Sequence, residues 1–597
     1  MKTIFKVEKL VWTTVPKSAL ITLLHTVISG LLPAVLSTTV AGIVTTVTSG
    51  GRTESLYIQL SVLALSYLLN AVIQSAYSIA NNAGVFESLN LRLRADLCCK
   101  KCEYPLIYFE NPEFLDELHN AETAIEDEEL PMLHYSLMNY LESIISLISV
   151  TAVLSSYHVL LSILAPVTVL PVLINRWIRG AYFNEVREKE SQNERRAGII
   201  KKYFYMEPHV KEVRVQNAYN HLMTRWEMYD ARKRSELKDY LLKDYAQFEC
   251  CALLKSIGFL ASVILVALWI SSGSIASGGA AAAIVAFTSL QNIASDFFRT
   301  LGNTRYYIKR ADLLLKFLHR RETEAIAEAP TASLPEETAF LLENLNFQYP
   351  DADAYAFYGL NLSIKKGERV AIVGANGAGK NTLLKVLLGQ FPASGGIFAV
   401  SRNPNRRIAY VPQRVPKLKI TVAEYLTLGM EESSHVRGGL KIRESANDRN
   451  EAEVQDDSQK QSIQREILRD ALHAVALDLE PNTFLGKEFG GTDLSGGQWQ
   501  KLAIARSMLE DSEIFFYDEA TSAIDPIQES FILKKMLELT KGKTTFIVTH
   551  RLAICPRVDR VILLENGRIT ASGSHHELLK SSDVYREMYE SQSSPYL

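Results

Sequence analysis

The stretch Gly374–Thr382 reads GANGAGKNT and has the composition best suited to binding phosphate. It follows the β-branched run RVAIV at 369–373 and precedes NTLLKVLLG, whose apolar residues recur at helical spacing. A strand, a glycine-rich turn and a helix in this order direct backbone N–H groups and the positive helix end at phosphate oxygens. The stretch therefore predicts a nucleotide-binding loop. Its predicted contact residues are Gly374, Asn376, Gly377, Gly379, Lys380, Asn381 and Thr382.

Asn381 departs from the loop pattern, which places Ser or Thr directly after the lysine as a Mg²⁺ ligand. An asparagine carbonyl is still an oxygen ligand, but the side chain is longer. Mg²⁺ requires near-ideal octahedral oxygens at about 2.0–2.1 Å. Thr382 cannot easily substitute because it stands one residue further along. We therefore expect nucleotide to bind through the backbone and Lys380, while Asn381 weakens Mg²⁺ coordination and hydrolysis.

A second stretch, EIFFYDEATSAID at 513–525, is an apolar strand that ends in two carboxylates. Asp518 is placed to hold Mg²⁺, usually through water, and Glu519 to polarise an attacking water. A strand that ends in solvated acids is common by itself. The pair favours catalysis here because it follows a phosphate loop at a domain-scale distance.

Two unlike halves must position these residues. The chain has 597 residues, a net charge of −3 and a mean hydropathy of +0.01. This length predicts more than one domain, and the charge gives no basic field for nucleic acid. Residues 1–320 carry long apolar runs, 321–338 form an acidic linker rich in Ala and Pro, and 339–597 have the pattern of an α/β domain.

The first half predicts an all-α, six-helix transmembrane domain, because a spanning helix needs about 20 mostly apolar residues. Lysines and arginines concentrate in the N-terminus and in the long connections 85–132 and 179–246. This bias places both termini and both connections in the cytosol, so we expect a multi-pass protein of the cell membrane. The six predicted spans are 18–47, 56–84, 133–155, 157–178, 247–272 and 277–300.

The two long connections read as helices that continue past the bilayer, each interrupted by a proline-marked break. The breaks are YFENPEFLD at 108–116 and MEPHVKEVRVQ at 206–216. Each break predicts a short crosswise helix that touches another domain.

Ionisable residues in or near the spans have two interpretations. They either line a cargo cavity or pair one helix with another, since an isolated charge in a bilayer is costly. The residues concerned are Glu142, Lys255, Asp296 and Arg299.

Six cysteines include the cluster CCKKC at 98–102, which lacks a second ligand pair at zinc spacing. We expect reduced thiols rather than a metal site.

Leu494–Gln498 reads LSGGQ and lies a short way before the FFYDE strand. With this motif the chain resembles the ATP-binding cassette (ABC) transporters, and the resemblance covers its whole length. Six spans followed by one cassette are similar to a half-transporter of the exporter type. The stretch GKEFGGTDLSGGQWQKLAIAR is most similar to exporters of bacterial peptides, including lantibiotic-type products.

The resemblance implies an α/β P-loop domain with a helical signature subdomain, and ATP with Mg²⁺ held between two cassettes. The active unit is then a dimer. A homodimer follows from the otherwise complete site, and a heterodimer with a differently degraded partner is the alternative. The implied residues are Tyr349 for adenine, Gln413 for Mg²⁺ and γ-phosphate, Ser495, Gly497 and Gln498 for the partner's nucleotide, Asp525 at the dimer seam, and His550 as the switch histidine.

The polar segment 431–465 is longer than this stretch usually is in the family, and we interpret it as a solvated insertion. Three functions remain open. The chain exports peptides, or it exports lipids or hydrophobic drugs, or it is a nucleotide-gated membrane protein that hydrolyses weakly because of Asn381.

Overall fold

The computed structural model describes residues 2–171, 196–206, 209–320, 335–401, 408–430 and 465–593. Contacts divide the chain into two units. One unit is Met1–Glu103 with Glu113–Arg321, and the other is Tyr104–Pro112 with Glu322–Leu597. The predicted insertion lies outside the described residues except for Arg465, and so does most of the predicted linker.

The first unit is helical, which confirms the predicted all-α class. Its helices are α1 (Lys2–Thr14), α2 (Pro16–Thr48), α3 (Thr53–Ile79), a π-helical segment (Ala80–Ser88), α4 (Leu89–Glu103), α5 (Pro112–Glu126), α6 (Glu129–Tyr157), α7 (Val159–Pro171), α8 (His209–Val215), α9 (Tyr219–Ser271) and α10 (Ser277–His319). Residues 196–205 are also helical.

Five helical stretches of the described chain are long and apolar enough to cross a membrane. The second of them runs without interruption from Thr53 to Glu103, so this helix continues well beyond a bilayer's thickness. The predicted span 157–178 has an apolar helix, α7, in its described part, and residues 172–178 lie outside it. The five stretches are Pro16–Thr48, Thr53–Glu103, Glu129–Tyr157, Tyr245–Ser271 and Gly278–Phe298.

Both predicted breaks interrupt the helical run. At the first, a 3₁₀ turn at Leu106–Glu110 separates α4 from α5. This turn belongs to the second unit, where Ile107 packs against the core and Glu110 lies 3.4 Å from Lys385. At the second, the seven-residue helix α8 stands alone, and residues 207–208 lie outside the described chain.

Helices α2 and α6 pack backbone against backbone at Gly30. The Ser146 and Ser149 hydroxyls donate to the Gly30 carbonyl oxygen at 2.9 and 3.2 Å. A Cβ atom at Gly30 would lie 2.8 Å from Ile145 Cγ2. Small residues permit this approach, and hydroxyl groups strengthen it where lipid supplies no hydrogen bonds.

Two charged residues of the helical unit make contacts with a neighbouring helix. The Lys255 ammonium of α9 donates to Asn292 Oδ1 of α10 at 2.8 Å. Glu142 is half-buried, and the Arg299 side chain lies outside the description. The buried Glu129 carboxylate accepts a bifurcated hydrogen bond from the Arg310 Nε–H, with 3.0 Å to each oxygen. Among the described residues there is no group of three or more His, Cys, Asp or Glu side chains that could together hold a metal ion.

Replacing Gly30 with alanine tests the close helix contact. The new methyl group meets Ile145 in a packed interface, and such overpacking costs about 1–3 kcal/mol. We expect Gly30→Ala to lower the thermal unfolding midpoint of the detergent-purified protein. The control is Gly198→Ala, where a Cβ meets nothing within 4 Å. That change should leave the midpoint unchanged or raise it, because alanine is the better helix former. If both substitutions changed the unfolding midpoint equally, the close helix contact at Gly30 would be contradicted.

The second unit contains two sheets. A three-stranded antiparallel sheet has the order β2-β1-β4, and a six-stranded sheet has the order β5-β6-β7-β3-β8-β9, parallel except for β9. The strands are β1 (Thr338–Phe347), β2 (Phe357–Lys365), β3 (Arg369–Val373), β4 (Gly395–Val400), β5 (Ile408–Val411), β6 (Ile514–Asp518), β7 (Thr544–Val548), β8 (Arg560–Glu565) and β9 (Arg568–Gly573).

Helices cover the sheets. They are α11 (Lys380–Leu387), α12 (Val422–Thr427), α13 (465–474), α14 (Gly496–Leu509), α15 (Pro526–Leu539), α16 (His575–Ser581) and α17 (Asp583–Ser593). Strands β6 and β7 are buried along their whole length, as expected of central parallel strands. Phe516 and Phe546 stack at 4.8 Å between them, and Phe340 from β1 packs edge-on at 5.0 Å from Phe546.

Candidate nucleotide site

Three loops meet at the carboxyl edge of the parallel sheet. Strand β7 pairs on one side with β3, Ile372 opposite Val548, and on the other with β6, Asp518 opposite Val548. Because these strands run in parallel and end in register, the segments that follow them leave from one edge. This edge therefore carries the phosphate loop, the carboxylates Asp518 and Glu519, and His550.

The phosphate loop requires glycine at two of its turns. Gly374 has φ of +151°, and a Cβ there would lie 2.1 Å from the Leu564 carbonyl oxygen. Gly379 has φ of +96° directly before α11. Both conformations favour glycine because a side chain would clash with neighbouring backbone. Asn376 and Gly377, at the tip, are exposed.

Lys380 is buried beneath this loop. Its ammonium donates to the carbonyl oxygens of Gly374 and Ala375, at 2.8 and 2.9 Å. Burial lowers the pKa of Lys380, and the carboxylates of Glu519 and Asp518 oppose that shift. The lysine is thus held inside the phosphate loop in which it is predicted to contact nucleotide.

Asp518 is a buried carboxylate with an unsatisfied oxygen. Its residue is 5% exposed, and Oδ1 has no hydrogen-bond partner in the described chain. Burial raises the pKa of Asp518 to about 6, Glu519 adds to the shift, and Lys380 and Lys385 oppose it. A buried oxygen without a partner is costly. A hydrated cation would satisfy it, so the residues at this edge fit Mg²⁺.

Glu519 stands at the centre of a chain of side chains. Its backbone is left-handed, with φ of +47°, which is rare for a residue other than glycine and marks functional sites. Gln413 Nε2 donates to Glu519 Oε2 at 2.8 Å, and His550 Nδ1 lies 3.3 Å from the same oxygen. The Asn381 amide Nδ2 in turn lies 3.5 Å from Gln413 Oε1. The fold therefore brings these four sequence-predicted residues into one cluster.

Tyr349 lies beside the loop but has contacts of its own. Its ring packs edge-on against Phe347 and Phe391, with centroids 5.1 and 5.8 Å apart. Its hydroxyl is 3.0 Å from Thr382 Oγ1. Adenine stacking on this ring remains a prediction.

The signature residues and Asp525 begin two helices. Ser495 caps α14 by accepting a hydrogen bond from the Gln498 backbone N–H at 3.2 Å, and Gln498 Oε1 accepts from the Ser495 N–H at 2.8 Å. Gly497 lies so close to Ala523 that a Cβ would be 2.5 Å from its carbonyl oxygen. Asp525 caps α15. Their predicted contacts with a partner's nucleotide need a second chain and stay predictions.

The structure adds residues that the sequence reasoning missed. Gln500 Oε1 accepts from the Ala523 N–H at 2.8 Å, and its Nε2 donates to Ser522 at 2.9 Å, which braces the segment after Glu519. Its place two residues after the signature could have suggested it. Gln592, on the last described helix, bonds the backbone around His550. No local pattern marks a residue 42 positions beyond the histidine it contacts.

Comparisons with known proteins agree with this geometry. Residues 357–522 match the ABC transporter family. The subtilin transport ATP-binding protein SpaT of Bacillus subtilis is 25% identical over 99% of this chain and 94% of its own length. An ATP-dependent lipid A-core flippase of Saccharophagus degradans is 32% identical over 42% of this chain and 40% of its own. A structure titled as a bacterial Atm1-family ABC exporter with ATP bound superposes with a TM-score of 0.77, at 19% identity, covering 97% of this chain and 98% of that one.

The chain belongs to the ABC transporters. It is an exporter-type half-transporter in which a helical membrane domain is fused to one ATP-binding cassette, as the sequence resemblance predicted. It binds ATP and couples ATP hydrolysis to transport, and half-transporters of this kind function as dimers.

Asp518→Asn tests the charge buried at this edge in protein free of nucleotide and treated with EDTA. Because the native pKa of Asp518 is about 6 and lies above its unfolded value, the native state alone holds the proton between about pH 4 and pH 6. The carboxylate therefore destabilises the native state fully above about pH 6, and the penalty disappears as pH falls through that window. Asp518→Asn should raise the unfolding midpoint near neutral pH, and the gain should vanish near about pH 4. A gain independent of pH would contradict the assignment.

Proposed function

We propose that this protein exports a peptide across the cytoplasmic membrane as a homodimer, with the cassettes in the cytoplasm. The observation that supports peptide cargo is the similarity to a subtilin transport protein over almost the whole of both chains. Such full-length similarity includes the membrane helices, which determine what cargo a transporter admits. The charge bias of the connections supports the orientation.

The geometry of the cassette supports the chemistry that we propose for it. The loop amides and Lys380 bind the β- and γ-phosphates, and Glu519 orients and polarises the attacking water. His550 Nδ1 lies 3.3 Å from Glu519 Oε2, so the histidine acts beside the group that activates the water. Mg²⁺, held by Asp518, Gln413 and Asn381, would neutralise charge on the phosphates when bound. Lys380 exchanges its two carbonyl partners for phosphate oxygens.

In this proposal Asn381 lowers the rate of ATP hydrolysis. It is the second residue of α11, at the position where a hydroxyl would otherwise contact the metal, and its amide faces Gln413. Its longer side chain displaces the oxygen from the position a hydroxyl takes, and it provides no hydroxyl proton. Mg²⁺ tolerates such displacement poorly. We therefore expect normal ATP affinity with reduced turnover.

A second copy of the chain completes each site. Ser495 and Gly497 serve the partner's nucleotide, and Asp525 lies at the seam. The exposed Ile527, directly after Pro526, is 87% accessible in the single chain, which suits a residue covered on dimerisation. The segment Tyr104–Pro112, which already belongs with the cassette unit, carries movement of the cassettes to the membrane helices.

The second candidate cargo is a lipid, which the similarity to a lipid A-core flippase favours over part of the chain. The two cargoes differ in how they stimulate hydrolysis. A peptide site distinguishes sequences, whereas a lipid or drug site responds broadly to hydrophobic compounds.

Mg-ATP hydrolysis in lipid, measured beside two variants, tests the site. Asn381→Ser should raise turnover several-fold and lower the Mg²⁺ concentration needed for half-maximal rate, because it restores the hydroxyl ligand. Glu519→Gln should lower turnover by about 10²-fold or more, because it removes the group that activates water. Equally fast hydrolysis by wild type and Asn381→Ser would show that the asparagine is tolerated. Slow hydrolysis by both, with normal ATP affinity, would favour the nucleotide-gated alternative.

ATP-dependent uptake into inside-out proteoliposomes tests the cargo. Peptides secreted by bacteria should stimulate hydrolysis and accumulate inside, whereas scrambled peptides of the same composition should do neither. Glu519→Gln vesicles control for leakage and binding, since they bind ATP without turnover. Stimulation by lipids or hydrophobic drugs, without discrimination among peptides, would contradict peptide export.

A further inference from the structure

The switch loop that carries His550 is held by one side chain from the C-terminal helix α17. Gln592 Nε2 donates to the His550 carbonyl oxygen at 2.6 Å. Gln592 Oε1 accepts from the Leu552 N–H at 2.9 Å. A single amide thus satisfies two backbone groups two residues apart, on both sides of the loop's turn.

A second residue holds the opposite side of the same loop. The Arg551 N–H donates to Thr549 Oγ1 at 2.9 Å, and its guanidinium pairs with Glu529 of α15. Arg551 Nη2 also donates to the Ser522 carbonyl oxygen at 3.0 Å. The Ser522 N–H donates to the Glu519 carbonyl oxygen at 3.0 Å, so this side links the loop to the catalytic segment.

The His550 imidazole itself is poorly anchored. Its side chain is 49% exposed, and its described polar contact is the 3.3 Å approach to Glu519. Where packing does not hold a side chain, the backbone that bears it determines its position. The backbone on the α17 side depends on Gln592.

Helix α17 is a firm support for that contact. The Tyr585 ring is fully buried, and its hydroxyl lies 2.8 Å from His575 Nδ1 of α16. Arg586 Nε donates to the Leu579 carbonyl oxygen at 2.7 Å. The helix is therefore fixed near its start and presents Gln592 near its end.

We infer that Gln592 is a positioning residue for ATP hydrolysis, which acts by holding the backbone of the switch loop so that His550 meets Glu519. The inference rests on the proposed function, because it takes His550 as part of the hydrolytic site. It assigns α17 a part in turnover without a contact to nucleotide.

Two substitutions at Gln592 test the inference in the full-length protein in lipid. Gln592→Ala removes both hydrogen bonds and some volume, and Gln592→Leu removes the bonds at nearly constant volume. Each should lower kcat for Mg-ATP roughly tenfold, equivalent to about 1.4 kcal/mol in the barrier, with KM for ATP unchanged. The control is Glu587→Ala, an exposed residue on the same helix, which should leave kcat unchanged. Unchanged kcat in both Gln592 variants would overturn the inference, as would an equal loss in the control.

A double-mutant cycle with His550→Ala separates positioning from general destabilisation. If Gln592 acts through His550, the double variant hydrolyses no more slowly than His550→Ala alone. Additive losses would overturn the inference. Full activity in His550→Ala would instead refute the proposed site, whatever the Gln592 variants do.

The pH dependence of Gln592→Glu activity distinguishes the hydrogen bond to His550 from a general effect on stability. A protonated carboxyl group can donate to the His550 carbonyl oxygen as the amide does, whereas the carboxylate cannot. The activity of Gln592→Glu relative to wild type should therefore rise as pH falls from about 6 towards 4, through the ordinary pKa of a glutamic acid. A ratio independent of pH would count against the hydrogen bond to His550.

Discussion

The parallel pairing of β3, β6 and β7 is the constraint on which the site depends. These strands are buried, so their backbone groups must bond one another, and their register is determined by that pairing. The loop of glycines, the two carboxylates and the switch histidine are far apart in sequence. They become neighbours only because their strands end at one edge. Replacing any one of these side chains would leave that edge in place.

The same burial that orders the strands concentrates unsatisfied charge at their ends. Lys380 and Asp518 are both buried, with their pKa values moved in opposite directions by loss of solvent. Lys380 finds backbone carbonyls, and Asp518 retains an oxygen without a partner. The left-handed backbone of Glu519 adds local strain. The cassette stabilises these features through its aromatic core and its helices, and nucleotide and Mg²⁺ are the groups that we propose relieve them.

The sequence predicted the parts of this site that local pattern can mark. Strand, glycine turn and helix are contiguous, and LSGGQ lies a short way before the FFYDE strand, so local pattern was enough to predict their roles. The helical class and most spans followed from hydropathy. Contacts between distant segments had no such marker: Tyr349 with Thr382, Arg551 with Glu529, and Gln592 with His550. The π-helical segment also gave no pattern, because its residues suit an ordinary helix equally well.

The two carbonyl contacts of Lys380 affect how a loss of nucleotide affinity on substitution of this lysine should be interpreted. The Lys380 ammonium ties the phosphate loop to itself through these two carbonyl oxygens, so the lysine also stabilises the conformation of the loop. Removing it would release the turn at Gly374 and Ala375 into many conformations, and an incoming nucleotide would then have to order them. An affinity lost on substitution at Lys380 is therefore the sum of a missing phosphate contact and an added entropy of ordering, and it overstates the strength of the contact alone.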